Sequence, residues 1–134
     1  MIEYKTGNDL DIDQVISLYR SSTLGSRRPV DDRDRMRAMI AAANIVVTAW
    51  HRTRLVGIAR ALSDFAWSTY LSDLAVDVTY QRRGIGRELV RRTQELGGRA
   101  TVVLFAAPAA IDYYPRIGFT AGSGWMLRAN ERVR

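Results

Sequence analysis

The sequence predicts a mixed α+β fold, a largely antiparallel central sheet flanked by helices, and three observations predict it. Two amphipathic stretches open the chain, three apolar β-rich runs follow back to back with short polar turns between them, and a glycine-opened amphipathic helix comes after the runs. A doubly wound parallel sheet would interleave its strands with helices. Here three strands succeed one another, the order of an antiparallel meander.

Taken in order, Ile2 to Thr6 reads as a first strand. Asp11 followed by Gln14 has the form of a capping box, and Ile12, Val15, Ile16 and Tyr19 recur at helical spacing toward Ser21. Thr23 to Val30 holds Gly25 and Pro29 and reads as loop. Asp31 or Asp32 then caps a second helix with a buried stripe of Met36, Met39, Ile40 and Ala43. The three strands are Ile45 to Trp50, Leu55 to Leu62 and Thr69 to Asp77, with turns at 51–54 and 63–68. Beyond Gly84 and Gly86 a helix shows Ile85, Leu89 and Leu96 on one face, Arg87, Glu88, Arg91, Arg92 and Glu95 on the other, and stops at Gly97-Gly98. Thr101 to Phe105 reads as a strand, Ala109 to Tyr114 as a short helix and Trp125 to Arg128 as a last strand.

At 134 residues the chain is expected to form one domain, 1–134, able to bury a core without disulfides or metals. A composition 47% hydrophobic and 25% charged excludes a disordered chain. No stretch reaches the length of a membrane span, and residues 1–10 lack the layout of a signal peptide, so a cytoplasmic protein is expected. With no cysteine and one histidine, His51, placed in a polar turn, no metal site is expected. The net charge of +6 attracts phosphates. Its arginines are dispersed from Arg20 to Arg134, which suits a phosphorylated small molecule at least as well as a nucleic acid; RNA stays open as a partner.

The chemistry centres on Gln81-Arg82-Arg83-Gly84-Ile85-Gly86. Glycines let backbone N–H groups converge, and the following helix adds the partial positive charge of its N-terminus, so the loop suits a pyrophosphate. A P-loop would need Gly-Lys-Ser/Thr, and a dinucleotide fingerprint would need glycine where Leu89 stands. The run Leu74-Ala75-Val76-Asp77-Val78-Thr79-Tyr80-Gln81 through Leu89 resembles the core of the GNAT superfamily of acetyl-CoA-dependent N-acetyltransferases, and Tyr113-Tyr114-Pro115-Arg116-Ile117-Gly118-Phe119 resembles its C-terminal Tyr-x-x-x-Gly-Phe element. The segments 46–60 and 72–77 are similar to a compact subgroup that includes plant arylalkylamine acetyltransferases.

The resemblance implies acetyl transfer from acetyl-CoA to a primary amine by direct attack in a ternary complex. The backbone of Arg82, Arg83, Gly84, Ile85, Gly86 and Arg87 would cradle the pyrophosphate. Leu74, Ala75 and Val76 would lie along the pantetheine arm on a strand that bulges away from its neighbour, with the Leu74 N–H as oxyanion donor. Tyr114 aligns with the tyrosine that protonates the departing sulfur. Two positions depart from the family pattern: Pro115 would push Tyr114 out of the helical region, and Ala107 stands where many members place asparagine. Tyr70 occupies the place of a glutamate base, so Asp73, a lone carboxylate in an apolar strand, is the candidate base, with a hydrogen-bonded structural carboxylate as the alternative. Arg28, Asp64, Trp67 and Tyr70 are candidates for the acceptor site, Arg28 for an acidic group on it. A homodimer through Trp125 and Leu127 follows by analogy. The alternatives kept open are acetylation of an aminoacyl-RNA amine and a non-catalytic basic module binding CoA or nucleic acid.

Overall fold

The structure, a computed structural model, describes residues 1–134 and divides into two compact units, Met1–Leu104 and Phe105–Arg134. The first holds five strands in the order β1 to β5: β1 (Ile2–Thr6), β2 (Ile45–His51), β3 (Arg54–Ser63), β4 (Ser68–Val76) and β5 (Thr101–Val103). Every neighbouring pair is antiparallel except β4 with β5, which is parallel. The sheet is therefore mixed and largely antiparallel, as the succession of strands predicts.

Helix α1 (Ile12–Arg20) starts where Asp11 accepts the Asp13 N–H at 2.9 Å, but Gln14 reaches the Thr53 carbonyl instead of closing a capping box. Helix α2 (Arg33–Ala42) starts at Asp32, whose carboxylate accepts the Arg35 N–H. Together they cover one face of the sheet, where Val15, Ile16, Tyr19, Met36 and Ile40 join Val46, Leu55, Ile58 and Ala75 in one apolar core. Helix α3 (Ile85–Leu96) contacts β2, β3 and β4. A Cβ at Gly57 would stand 3.1 Å from Ile85 and Leu89, so this glycine lets α3 approach β3 closely. Leu96 does not share that buried face: it is exposed, and Val90 and Thr93 are buried in its stead.

The second unit contains a one-turn 3-10 helix at Pro108–Ala110 and the four-residue α4 (Tyr113–Arg116). The single helix expected over Ala109 to Tyr114 is thus two shorter pieces. No strand forms at Trp125 to Arg128, and β5 ends at Val103, short of Phe105. Pro115 does not expel Tyr114 from the helix. Both lie in the first turn of α4, where a missing N–H costs no intrahelical bond.

Candidate active site

The site is built on β4. One edge of this strand pairs with β3 along its length, whereas the other meets β5 only through Ser68, Thr69 and Tyr70. From Leu71 to Val76 the outer edge has no strand beside it. The Asp77 N–H donates to the Val56 carbonyl at 2.9 Å, and peptide groups alternate in direction along an antiparallel strand. Asp73 and Ala75 therefore turn their peptide groups toward β3, and Leu74 and Val76 turn theirs toward the open edge. The Gln81 side chain donates to the Val76 carbonyl at 3.1 Å, which ties the following loop to that edge.

The open edge begins at a bulge. The register with β3 runs Arg60↔Asp73 and then Ala61↔Leu71, so Ser72 faces no partner. Around it lies a buried ion cluster. The Asp73 side chain has no solvent exposure and accepts from Arg28 Nε on Oδ1, and from Arg60 Nε and the Tyr19 hydroxyl on Oδ2, each at 2.6 Å. Burial alone would raise this carboxyl, yet Arg60, Tyr19 and Arg28 outweigh it and hold it below the usual carboxylate range. Burial beside the carboxylate pushes the Tyr19 phenol well above its ordinary value.

This geometry bears on two expectations. A carboxylate with both oxygens engaged, no exposure and a lowered proton affinity is a poor acceptor for an amine proton, so Asp73 is better described as the structural carboxylate than as a base. Arg28 is likewise engaged: Nε donates to Asp73, Nη2 to the Ser72 carbonyl at 2.7 Å and Nη1 to the Arg27 carbonyl at 2.8 Å, so three of its five N–H groups serve the chain itself.

The loop between β4 and α3 has the conformation that anion binding asks for. Arg82 and Gly84 both adopt left-handed backbone, at φ 63° and 80°. Gly84 is the N-cap of α3 and, having no side chain, caps no N–H, so the first-turn N–H groups of Ile85, Gly86 and Arg87 have no side-chain acceptor. No atom lies within 4 Å of where a Gly84 Cβ would point. Arg82, Arg83 and Arg87 are exposed around this turn. Arg83 does not swing free: its guanidinium lies 5.0 Å from the Tyr80 ring centroid and reaches the Thr79 carbonyl.

Beneath the loop is a hub that sequence reading missed. Asp77 accepts from the Thr79 N–H and hydroxyl, from Ser21 Oγ and from Arg54 Nη2 at 2.7 Å; Arg54 also faces the Tyr80 ring. The Tyr80 hydroxyl lies 2.6 Å from His51 Nδ1. His51 is thus the partly buried end of β2 rather than a solvated turn residue. No local pattern announces this, because its members come from four segments of the chain.

The remaining acceptor-site candidates lie around the β3–β4 turn. Asp64 is that turn's organiser, with Oδ1 accepting from the N–H groups of Trp67, Ala66 and Ser68, and those bonds lower its carboxyl. Trp67 is 80% exposed and Tyr70 37%. In the second unit, Tyr114 packs edge-on against Tyr113 and Phe119, and burial raises its phenol above the ordinary value. No group of His, Cys, Asp or Glu side chains is arranged to hold a metal ion, and no helix is long and apolar enough to cross a membrane.

The family model described as acetyltransferase (GNAT) domain matches residues 23–126. Histone acetyltransferase TAP1 of Glycine max is 37% identical over 71 residues, 51% of this chain and 31% of that protein. An N-acetyltransferase of the ycf52-like type from Prochlorococcus marinus is 33% identical over 102 residues, 71% of this chain and 55% of its own length. The chain spans less than a third of the first plant relatives it matches. Among solved structures, a GNAT family acetyltransferase from Streptococcus pneumoniae superposes with a TM-score of 0.72 at 21% identity over 96% of this chain and 99% of that one. Aminoglycoside N-acetyltransferase AAC(6')-Iy in complex with CoA superposes at 0.74 and 14% identity over 97% and 95%. Those two likenesses concern the fold, whereas the match over 23–126 concerns the sequence as well, and on it the chain belongs to the GNAT family of acetyltransferase domains.

Proposed function

We propose that this domain transfers an acetyl group from acetyl-CoA to a small primary amine, with both substrates bound together, and that residues 1–134 act as one domain, in keeping with a family match that runs across both compact units. One observation carries the reading: the unpaired edge of β4 from Leu71 to Val76 leads directly into a left-handed turn that opens the uncapped N-terminus of α3. An extended arm carrying a pyrophosphate fits that sequence of groups, peptide partners first and anion donors after.

The donor would supply an acetyl thioester, an acyl group on a good leaving group. For its part, the chain holds the phosphates on the N–H groups of Ile85, Gly86 and Arg87, with Arg82 and Arg87 adding charge. Leu74 and Val76 offer peptide groups to the arm. The Leu74 N–H stabilises negative charge developing on the carbonyl oxygen, an interaction worth several kcal/mol in a dry site. As the amine nitrogen bonds to the acetyl carbon and the carbon–sulfur bond breaks, the nitrogen loses one proton and the sulfur gains one. Tyr114, kept protonated by its surroundings, is the proposed acid for sulfur. With Asp73 engaged by arginines, the amine proton passes to solvent water.

Transfer assays against an amine panel at two salt concentrations test the reading. Acetylation of a small amine with little salt dependence is expected; no transfer to any amine, with binding to RNA that collapses as salt rises, would favour the nucleic-acid module instead. Because an alkylamine has a pKa near ~10, the rate should climb with pH from 7 to beyond 9 without a carboxylate step. Tyr114→Phe should lose on the order of 10–10³ in turnover with donor affinity unchanged, and wild-type turnover would remove it from the mechanism. A homodimer using exposed Trp125 and Leu127 belongs to the same proposal and is read from the mass in solution.

A further inference from the structure

We infer that Arg28 and Arg60 are positioning residues that clamp the bulge at Ser72 and thereby aim the open edge of β4. The inference rests on the reading that this edge takes the pantetheine arm. A bulge disrupts the ladder and leaves its extra residue without the opposing strand's bonds. At Ser72 two guanidiniums stand in for them. Arg28 forks between Asp73 Oδ1 through Nε and the Ser72 carbonyl through Nη2, at 2.6 and 2.7 Å. Arg60 forks between Asp73 Oδ2 through Nε and Ser72 Oγ through Nη2, at 2.6 and 2.8 Å. Each arginine therefore grips both the bulged residue and the one after it, and the next residue along is Leu74.

The two grips come from different elements of the chain. Arg60 belongs to β3 and also reaches the Met39 carbonyl in α2 at 3.4 Å, and Arg28 belongs to the loop between α1 and α2. Tyr19 of α1 closes the cluster on Asp73 Oδ2. The position of the helical layer is thereby transmitted to the peptide plane one residue before the proposed oxyanion donor. The planar fork of arginine is what permits this, since a lysine ammonium has no fixed pair of parallel donors. A general core function for these arginines would be felt equally by any ligand. A clamp on the bulge should be felt only by a ligand that lies along β4.

The test separates those outcomes by titrating two ligands, acetyl-CoA and its nucleotide half, adenosine 3′-phosphate 5′-diphosphate, into wild type, Arg28→Ala, Arg28→Lys and Arg20→Ala by calorimetry. Arg28→Ala should weaken acetyl-CoA on the order of tenfold and leave the nucleotide half within about twofold, since losing a charged hydrogen-bonded pair is felt where it acts. Arg28→Lys, which keeps the charge and the fold if alanine does not, should show the same selective loss in smaller degree. Arg20→Ala, at the end of α1, removes an exposed pair with Asp31 and a 3.5 Å bond to the Val30 carbonyl, neither of which touches the bulge, and should match wild type. Folded Arg28 variants that bind acetyl-CoA like wild type, or that lose both ligands in parallel, overturn the clamp while the donor reading survives. A wild-type chain that binds neither ligand overturns the donor reading itself, and the clamp's premise with it.

Discussion

Asp73 and Asp77 lie four residues apart at the end of one strand, both buried and both held below the usual carboxylate range, yet they are built in different ways. Asp73 binds side chains from α1, the loop after it and β3, so its charge joins distant pieces of the chain. Asp77 spends one oxygen on Thr79 two residues away, sharing the other between Ser21 and the exposed Arg54. The first carboxylate fixes where the strand sits; the second shapes how the chain leaves it. A buried charge that crosslinks elements is costly to unpair, whereas one that caps a local turn is replaceable in part by water.

The largest effect should come from Arg60→Ala, which leaves Asp73 buried with Arg28, Tyr19 and the Ser72 hydroxyl as its partners. Breaking a buried pair of this kind costs about 3–5 kcal/mol, read from urea unfolding, and a loss below about 1 kcal/mol would break the contrast drawn here. Asp77→Ala should cost less, about 1–2 kcal/mol, the value of a lost turn cap and its hydrogen bonds. The acid limb of stability sharpens the same contrast. A carboxylate whose folded pKa is depressed stabilises the fold above its unfolded pKa, near ~3.9, and that stabilisation is lost as pH falls toward the folded value. Wild type should therefore lose stability below about pH 4, and Arg60→Ala, already without the main support of that depression, should lose less over the same interval. Smallest is Gly84→Ala, a methyl placed in open space but on left-handed backbone, which should cost about 1–2 kcal/mol or less.

The three successive strands, the three long helices and the glycine turn that opens α3 were legible because each is a local pattern of period, cap or glycine. Asp73 was singled out on equally local grounds, as a carboxylate among apolar neighbours, and its neighbours could not say which partners would meet it. Those partners, Tyr19, Arg28 and Arg60, lie up to 54 residues away in the chain. The partners of Arg28 are hidden for the same reason: a loop arginine advertises charge and not its destination. The strand expected at Trp125 to Arg128 failed where a short apolar run was the only support, since a strand also needs an edge to join. Pro115 misled in the other direction, because α4 begins at Tyr113 and so places the proline in its first turn, which no rule about the preceding residue contains.

The central claim is that one continuous surface, the outer edge of β4 and the first turn of α3, holds the acetyl donor. It is tested most directly by titrating acetyl-CoA into isotopically labelled protein and following backbone amide resonances. The claim predicts that the amides of Leu74 and Val76 shift together with those of Ile85, Gly86 and Arg87, at a single affinity. Shifts confined to other arginine-bearing surfaces, with Leu74 and Val76 unmoved at saturation, would contradict it.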